Sequence, residues 1–295
     1  MIAVDWGTSS FRAYRLDAGG AVQEQRSAAA GLLACNGAFE AVLAQQLAGW
    51  DDPTIVLAGM VGSRNGWREV PYVACPAGLD AVSEALCEIA APLLPGRRIF
   101  IAPGVSQRPA DGPPDVMRGE EAQVLGVLDR LGGAGPHTLC LPGTHSKWVR
   151  LVDSRIVALR TAMTGELYAL LRRHSLLAAL MPADDDDPDS FARGVAASGR
   201  DGGLAHHLFS VRSLGLFDAI AAAKAPSYLS GLLIGHEVRG LLGEEAETVH
   251  LVGGPALVQR YRRALRLLGV AAEAHGEAAS ARGMFLLAQS RGLLR

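Results

Sequence analysis

Apolar residues along the chain alternate between short continuous runs and helical spacing, a pattern typical of an α/β protein. In the first half, apolar runs predict strands at residues 2–4, 11–16, 21–27, 54–58 and 98–102. Apolar positions about 3.6 residues apart predict helices over residues 39–50, 79–90 and 119–131. A Pro- and Gly-rich loop is predicted at 103–114. The first half up to residue 102 therefore has the predicted order βββαβαβ.

The second half repeats this layout after a Gly-rich linker at residues 131–136. Three strands are predicted first, followed by a helical stretch with a break at 184–188, and then by a strand, a helix, a strand and a helix. These elements cover residues 138–141, 147–152, 155–161, 165–243, 249–252, 255–268, 270–274 and 277–291. The halves share a layout and not a close sequence repeat. We therefore predict two similar α/β domains, over 1–133 and 134–295, with a cleft between them.

Composition excludes several classes of protein and partner. A chain of 295 residues with 49% hydrophobic and 20% charged residues is globular and not disordered. A net charge of -2 gives no basic field for nucleic acid or anionic lipid. The N-terminus lacks the pattern of a signal peptide, and no apolar run approaches the roughly 18 residues of a membrane span. We therefore predict a cytoplasmic protein without a nucleic-acid or membrane partner.

Metal-site patterns are weak. The four cysteines include no CxxC pair, so neither a zinc site nor a disulfide framework is indicated. Asp185, Asp187 and Asp189 alternate like a calcium loop, but the loop's sixth position is not Gly and its twelfth is not Glu. The histidines at 206, 207 and 236 lack ligand partners at metal spacing, and we interpret them as structural.

A small, hydroxyl-rich turn follows the first predicted strand. Backbone N–H groups in such a turn approach an anion closely, so Gly7, Thr8, Ser9 and Ser10 are candidate phosphate contacts. Asp5, at the strand end, is a candidate for holding Mg²⁺ through water. The alternative is an ordinary hairpin turn.

A second Gly-Thr turn occupies the equivalent hairpin of the second half, with Gly143, Thr144 and Lys147 as candidate phosphate contacts. Lys147 is one of only two lysines, and a compact ammonium suits a phosphate oxygen. The two turns together would clamp a triphosphate, and the alternative is a surface turn with a solvated lysine. Gly253 and Gly254 between a strand and a helix would let an adenine lie against the backbone, although plain packing also uses such glycines.

Adjacent carboxylates open the helix predicted at 119–131. Glu120 and Glu121 lie at the N-terminal edge of its apolar face, where one of them could take a hydroxyl proton. Both could instead only oppose the helix dipole. Adjacent residues cannot aim at one point, and we favour Glu120 as the base.

The loop at residues 59–67 follows a buried strand, where ligand loops of open α/β sheets lie. Arg64 is a candidate partner for a substrate carboxylate, beside Ser63, with Trp67 as a flat wall. The alternative is a solvated arginine. Thr164 is predicted to cap the N-terminus of a helix and to contact ligand.

Six segments together resemble the 2-dehydro-3-deoxygalactonokinase family, in order and over almost the whole chain. They are DWGTSSFRAYRL, GMVGSRNGWREVPY, VMRGEEAQVLG, LPGTHSKWVRL, TAMTGELYALL and HLVGGPALVQRY. The resemblance implies the actin-like ATPase fold of sugar kinases, in which two RNase H-like domains close over ATP-Mg. It also implies transfer of the γ-phosphoryl group of ATP to the C6 hydroxyl of 2-keto-3-deoxygalactonate, in galactonate catabolism.

The resemblance also implies roles for individual residues. The turns at 5–10 and 143–147 correspond to two phosphate motifs, and Gly253-Gly254 to an adenosine motif. Gly119-Glu120-Glu121 stands where related sugar kinases carry a Gly-Asp-Gln helix with the catalytic Asp, which favours Glu120. Glu121, Asp5 and Asp115 remain alternatives. The first domain would hold the sugar acid, with Arg118 among its contacts, and the second domain the nucleotide.

Several alternatives stay open from the sequence. The acceptor could be the gluco epimer or another sugar acid. The same fold could also serve an acceptor-independent nucleotide hydrolase or a sugar-responsive binding protein that keeps ATP without turnover. The oligomeric state is undecided, and a homodimer is one of the alternatives.

Overall fold

The structure is a computed structural model that describes residues 1–132, 135–181, 186–243, 248–276 and 278–294. The chain forms two compact units. Unit 1 comprises Met1–His137, Val149–Leu159 and His275–Arg295, and unit 2 comprises Thr138–Trp148 and Arg160–Ala274. The boundary predicted between residues 133 and 134 lies outside the described residues, so the division at that point stays a prediction.

Unit 1 is built on a six-stranded sheet in the order β3-β2-β1-β4-β7-β6. A small sheet in the order β5-β8-β9 accompanies it. Within the described residues, the strands of these two sheets are β1 (Ile2–Trp6), β2 (Phe11–Leu16), β3 (Val22–Ala28), β4 (Thr54–Gly59), β5 (Val73–Ala74), β6 (Cys87–Ile89), β7 (Arg98–Ile101), β8 (Val105–Gln107) and β9 (Asp115–Met117).

The central strands of this sheet carry the core of unit 1. β1 pairs antiparallel with β2 and parallel with β4. Every residue of β4 is buried, as expected for an apolar strand between two parallel neighbours. Ile2, Val4 and Trp6 alternate into one hydrophobic cluster, which fixes the register of β1 and therefore the position of the turn that follows it.

Five α-helices belong to the described part of unit 1. They are α1 (Leu32–Cys35), α2 (Phe39–Gln46), α3 (Leu79–Glu84), α4 (Glu120–Leu125) and α10 (Ala279–Ser290). The helix predicted over 79–90 is wrong in its second half, because α3 ends at Glu84 and residues 87–89 form β6. Cys87 and Ile89 are two residues apart, a strand period, and both pack against the hydrophobic cluster of the sheet.

Two further predictions in unit 1 need correction. The loop predicted at 103–114 contains β8, which pairs with β5 and β9. The helix predicted over 119–131 is α4 followed by a separate 3-10 turn at Leu128–Arg130. The interruption lies at Gly126, where α10 packs so closely that an added Cβ would collide with the Ala279 carbonyl.

The second sheet has five strands in the order β12-β11-β10-β13-β14. Its strands are β10 (Pro136–Leu141), β11 (Ser146–Val152), β12 (Arg155–Ala162), β13 (Thr248–Val252) and β14 (Ala271–His275). This order repeats β3-β2-β1-β4-β7 of the first sheet, which confirms the predicted repetition of layout. β10 and β13 are parallel, with Leu139 opposite His250 and Cys140 opposite Leu251.

The helices of unit 2 are α5 (Thr164–His174), α6 (Pro188–Ala197), α7 (Gly203–Leu216), α8 (Ala225–Leu241) and α9 (Pro255–Leu267). α8 is the central helix, because it packs against α5, α6, α7 and α9 and is buried over most of its length. No helix within the described residues is both long and apolar enough to span a membrane.

The acidic alternation before α6 has a structural explanation. Asp187 is the N-cap of α6 and accepts a hydrogen bond from the Ser190 N–H at 2.8 Å. Its other oxygen lies 3.0 Å from the Lys224 Nζ. These two partners lower the pKa of Asp187 to about 2. Asp185 lies outside the described residues.

Candidate active site

The turn after β1 is locked by its own backbone and by the start of α1. The Gly7 N–H donates to the Ser10 carbonyl at 2.9 Å, and the Leu32 N–H donates to the Gly7 carbonyl at 3.0 Å. Gly31 lies against the backbone of Ser9, where a Cβ would collide. Thr8 and Ser9 are exposed, and their N–H groups donate to no other described residue. The turn therefore offers backbone donors that an anion could accept.

The turn after β10 is locked in a similar way by α5. The Glu166 N–H donates to the Thr144 carbonyl at 3.0 Å, and Gly165 lies against Gly143, where a Cβ would collide. Thr144 and His145 are exposed, and neither of their N–H groups donates to another residue of the described part of the chain. Both predicted phosphate turns thus share one arrangement: fixed carbonyls and available N–H groups.

The predicted nucleotide residues of unit 2 lie at one edge of the second sheet. Because β10 and β13 are parallel, their carboxyl ends meet, and Gly253 lies beside Pro142 of the turn. Gly253 has a φ of +148°, a conformation that an L side chain rarely adopts. Gly254 is the N-cap residue of α9, followed by Pro255 in the first turn. The structure therefore brings the Gly-Gly segment and the second Gly-Thr turn together.

Lys147 lies below the turn and not at its tip. The residue is 7% exposed, and its Nζ donates to the Thr161 Oγ1 at 3.0 Å. A solvated surface lysine, the alternative interpretation from the sequence, is therefore wrong. Contact between Lys147 and a phosphate stays a prediction.

Asp5 is in β1 and opposes Arg12 across the β1–β2 ladder. Its carboxylate lies 3.9 Å from the Arg12 guanidinium and is 22% exposed. A partly exposed carboxylate at a strand end is a hard oxygen ligand of the kind that Mg²⁺ prefers, so this residue fits the predicted metal contact.

The two carboxylates that open α4 have different environments. Glu121 is fully buried, and its Oε2 accepts the Gly119 N–H at 2.6 Å. Burial and the neighbouring charge of Glu120 raise the pKa of Glu121 to about 8. Glu120 is half-buried and accepts the Arg118 N–H at 3.1 Å. At neutral pH, Glu121 is therefore protonated and enclosed, whereas Glu120 is the accessible carboxylate of the pair. Asp115 is half-buried in β9, at the start of the segment that leads to α4.

The substrate residues predicted in the loop after β4 divide into exposed and packed side chains. Arg64 is 86% exposed, with Glu69 3.8 Å away. Trp67 stacks on Phe39, with ring centroids 6.5 Å apart, and packs against the core of unit 1. One ring face of Trp67 is therefore already used for packing. The Oγ of Ser63 is buried without a hydrogen-bond partner among the described residues.

Arg118 contacts the segment that follows this loop. Its Nη2 donates to the Val70 carbonyl at 2.7 Å, and its guanidinium lies 4.3 Å from the centre of the Tyr72 ring. Its Nε and Nη1 are buried without a partner in the described part of the chain, as is the Glu121 Oε1. Buried polar groups are normally satisfied, so the Arg118 Nε and Nη1 are candidate donors to a polar ligand on unit 1.

Thr164 does not cap α5. The cap position is Met163, no side chain caps the helix, and Thr164 is its first residue. The Thr164 hydroxyl instead bonds to the carboxylate of Glu237 on α8. Sequence reasoning missed Glu237 and its partner Tyr261. The available signal was a lone carboxylate near the end of the long, apolar segment that forms α8.

Comparison with known proteins identifies the family. The sequence model described as 2-keto-3-deoxy-galactonokinase matches residues 5–287. The chain belongs to this family. It is 43% identical to a probable 2-dehydro-3-deoxygalactonokinase of Rhizobium meliloti (strain 1021), over 91% of this chain and 89% of that protein. It is 36% identical to the 2-dehydro-3-deoxygalactonokinase of Escherichia coli (strain K12), over 91% and 90%.

Solved structures agree with the family assignment. A Sinorhizobium meliloti protein described as a 2-dehydro-3-deoxygalactonokinase superposes with a TM-score of 0.90 at 37% identity, over 98% of each chain. The activator of 2-hydroxyisocaproyl-CoA dehydratase from Clostridium difficile, solved with bound ADPNP, has a TM-score of 0.55 at 12% identity, over 99% of this chain and 96% of that one. The second likeness is one of fold alone. The predicted α/β fold class, with two RNase H-like units of the actin-like ATPase type, is confirmed, and so is the prediction of a kinase.

Proposed function

We propose that this kinase transfers the γ-phosphoryl group of ATP to the C6 hydroxyl of 2-dehydro-3-deoxy-D-galactonate, giving the 6-phosphate and ADP in galactonate catabolism. The observation that carries the proposal is the pair of Gly-Thr turns with available N–H groups in a member of this kinase family. Chemistry of this type depends mainly on positioning and on stabilising charge at the transferring phosphoryl group, which such turns can supply.

Unit 2 would hold the nucleotide. The N–H groups of Thr144 and His145 would bind phosphate oxygens, and the Gly253-Gly254 segment beside them would accept the adenosine. The turn at 7–10 of unit 1 would supply further phosphate contacts. Asp5 would hold Mg²⁺ through water, and the ion, when bound, neutralises phosphate charge.

Unit 1 would hold the sugar acid near the loop after β4. Arg64 has an exposed guanidinium that can form two parallel hydrogen bonds with a carboxylate. Ser63 and Arg118 carry buried polar atoms that have no partner among the residues the structure describes, which supports a polar ligand there. Trp67 would border this ligand with the part of its ring that Phe39 leaves uncovered.

Glu120 would act as the general base. The C6 oxygen forms a bond to the γ-phosphorus while the bond from that phosphorus to the β–γ bridging oxygen breaks, and ADP leaves. The proton of the C6 hydroxyl moves to the Glu120 carboxylate. A general base must be accessible at working pH. Glu121 is enclosed and has its pKa raised to about 8, so the half-buried Glu120 is the better candidate.

The test is acid-dependent ADP production by Glu120→Gln, with Glu121→Gln and Asp115→Asn as matched variants. Loss of a general base typically lowers turnover by about 10²–10⁴-fold. We expect a loss of that size in Glu120→Gln alone, with binding of ATP retained. Turnover near the wild-type rate in this variant would contradict the assignment, and a large loss confined to Asp115→Asn would move the base to Asp115.

The cellular location and the oligomeric state are further predictions for this kinase. A cytoplasmic location fits an enzyme that consumes ATP, and it stays a prediction, as does a homodimer. The gluco epimer is the second candidate acceptor, since the two acids differ in one inverted hydroxyl.

A further inference from the structure

A buried carboxylate on α8 lies beneath the candidate nucleotide site of unit 2. Glu237 is 6% exposed and accepts the Trp148 Nε1–H at 2.8 Å on one oxygen. Its other oxygen accepts the Tyr261 hydroxyl at 2.7 Å. The Ser146 Oγ lies 2.8 Å from the Tyr261 hydroxyl. Because the Tyr261 proton goes to Glu237, Ser146 donates its own proton to the Tyr261 oxygen. The Thr164 hydroxyl is a further hydrogen-bond partner of the carboxylate.

The four side chains of this network come from the three elements that present the candidate nucleotide contacts. Ser146 and Trp148 follow directly after the second Gly-Thr turn, at the start of β11. Thr164 is the first residue of α5, whose next two residues pack on and bond to that turn. Tyr261 is on α9, which begins at the end of the Gly-Gly segment. One carboxylate therefore ties together the turn, the helix that locks it and the helix after the glycines.

Burial raises the pKa of Glu237 above its ordinary value, and the hydrogen bonds that the carboxylate accepts oppose this rise. The indole N–H of Trp148 can only donate, and the Tyr261 hydroxyl donates to the carboxylate, so the oxygens must act as acceptors. A carboxylate supplies about four acceptor positions on its two oxygens, which is enough for the donors of Trp148, Tyr261 and Thr164. A buried charge at this position would be costly without such a complete set of partners.

We infer that Glu237 is a positioning residue for nucleotide binding, which acts through Ser146, Thr164 and Tyr261 to hold the Gly-Thr turn and the Gly-Gly segment in one arrangement. This inference rests on the proposed function. Glu237 does not itself reach the phosphates in this account. Its removal should weaken the binding of ATP while the binding of the sugar acid to unit 1 is retained.

The test compares two buried tyrosines of unit 2 that each bond to a serine. Tyr261→Phe removes one donor of the Glu237 network. Tyr228→Phe is the matched control, because the Tyr228 hydroxyl lies 2.7 Å from the Ser210 Oγ and the pair joins α7 to α8. We expect Tyr261→Phe to raise the Kd for ATP-Mg and the KM for ATP by about tenfold, with the KM for the acid near the wild-type value. Glu237→Gln should raise the Kd and the KM for ATP at least as much, again with the KM for the acid near the wild-type value.

The outcomes separate this inference from the proposed function. Binding of ATP-Mg is measured by calorimetry without any acid, together with the melting temperature of each variant. If the wild-type protein binds no ATP, the proposed function fails. If the wild type binds ATP, and Tyr261→Phe and Tyr228→Phe bind it equally well at similar stability, Glu237 has only a structural role and the inference is overturned. If Glu237→Gln does not fold, the tyrosine pair alone decides.

Discussion

At the scale of single residues, the start of α4 shows how one helical position changes the chemistry of a side chain. Glu120 and Glu121 are adjacent and chemically identical, yet one is half-buried and the other has no exposed surface. The sequence indicated that only one of them could serve as a base, because neighbours in a helix point about 100° apart. It could not show which one the core encloses, since that depends on distant elements such as α10.

The enclosed carboxyl predicts a pH dependence of stability. Glu121 keeps its proton in the folded protein up to a pKa of about 8, whereas the ordinary value is 4.5. Between these values the folded state holds a proton that the unfolded state has lost, so the free energy of unfolding falls as pH rises. We expect Glu121→Gln to remove this contribution, so that the variant gains melting temperature relative to wild type between about pH 5 and pH 9. Parallel profiles for the two proteins across that range would contradict a raised pKa at Glu121.

At the scale of elements, the sequence predicted the long, buried central strands well and the short strands poorly. The apolar runs that became β1, β4 and β13 are central in their sheets, so burial alone specified them. β6 has only three residues, and β8 lies in a stretch rich in Pro and Gly. The pairing of such short strands is decided by the neighbouring strands, which no local pattern records.

The candidate active site was also predictable from the sequence only in part. Both Gly-Thr turns and the Gly-Gly segment were predictable, because small residues at strand ends have few other uses. The buried positions of Lys147 and Thr164 were not predictable, because each depends on a partner side chain far along the chain or on a neighbouring strand. Glu237 was missed for a related reason: the four side chains of its network come from three separate elements.

The packing of α4 on α10 carries an element-scale prediction. A Cβ on Gly283 would collide with the Ala122 carbonyl, so Gly283→Ala forces the two helices apart. We expect a loss of about 1–3 kcal/mol in the free energy of unfolding, together with lower turnover because α4 carries Glu120. Gly240→Ala is the control: it lies in α8 with nothing within 4 Å of the added Cβ. That change should stabilise the protein by up to about 1 kcal/mol. Urea unfolding measures both, and equal shifts in the two variants would refute the close packing.

At the scale of the whole molecule, two sheets that share the order of five strands carry related turns at equivalent positions. β1 in unit 1 and β10 in the second sheet are both central, and each ends in a Gly-Thr turn locked by a following helix. The repetition was visible in the sequence as a layout, without a close repeat of residues. The division of labour between the units, with the acid on unit 1 and the nucleotide on unit 2, stays a prediction.

The central claim is that this kinase transfers phosphate to a keto-deoxy sugar acid. The most direct measurement is ADP production from ATP-Mg by the wild-type protein, without acid, with 2-dehydro-3-deoxy-D-galactonate, and with its gluco epimer. We expect ADP only when acid is present, with the galacto acid preferred. A preference for the gluco epimer would keep the mechanism and change the substrate. ADP production that is the same with and without either acid would contradict the account and favour a nucleotide hydrolase.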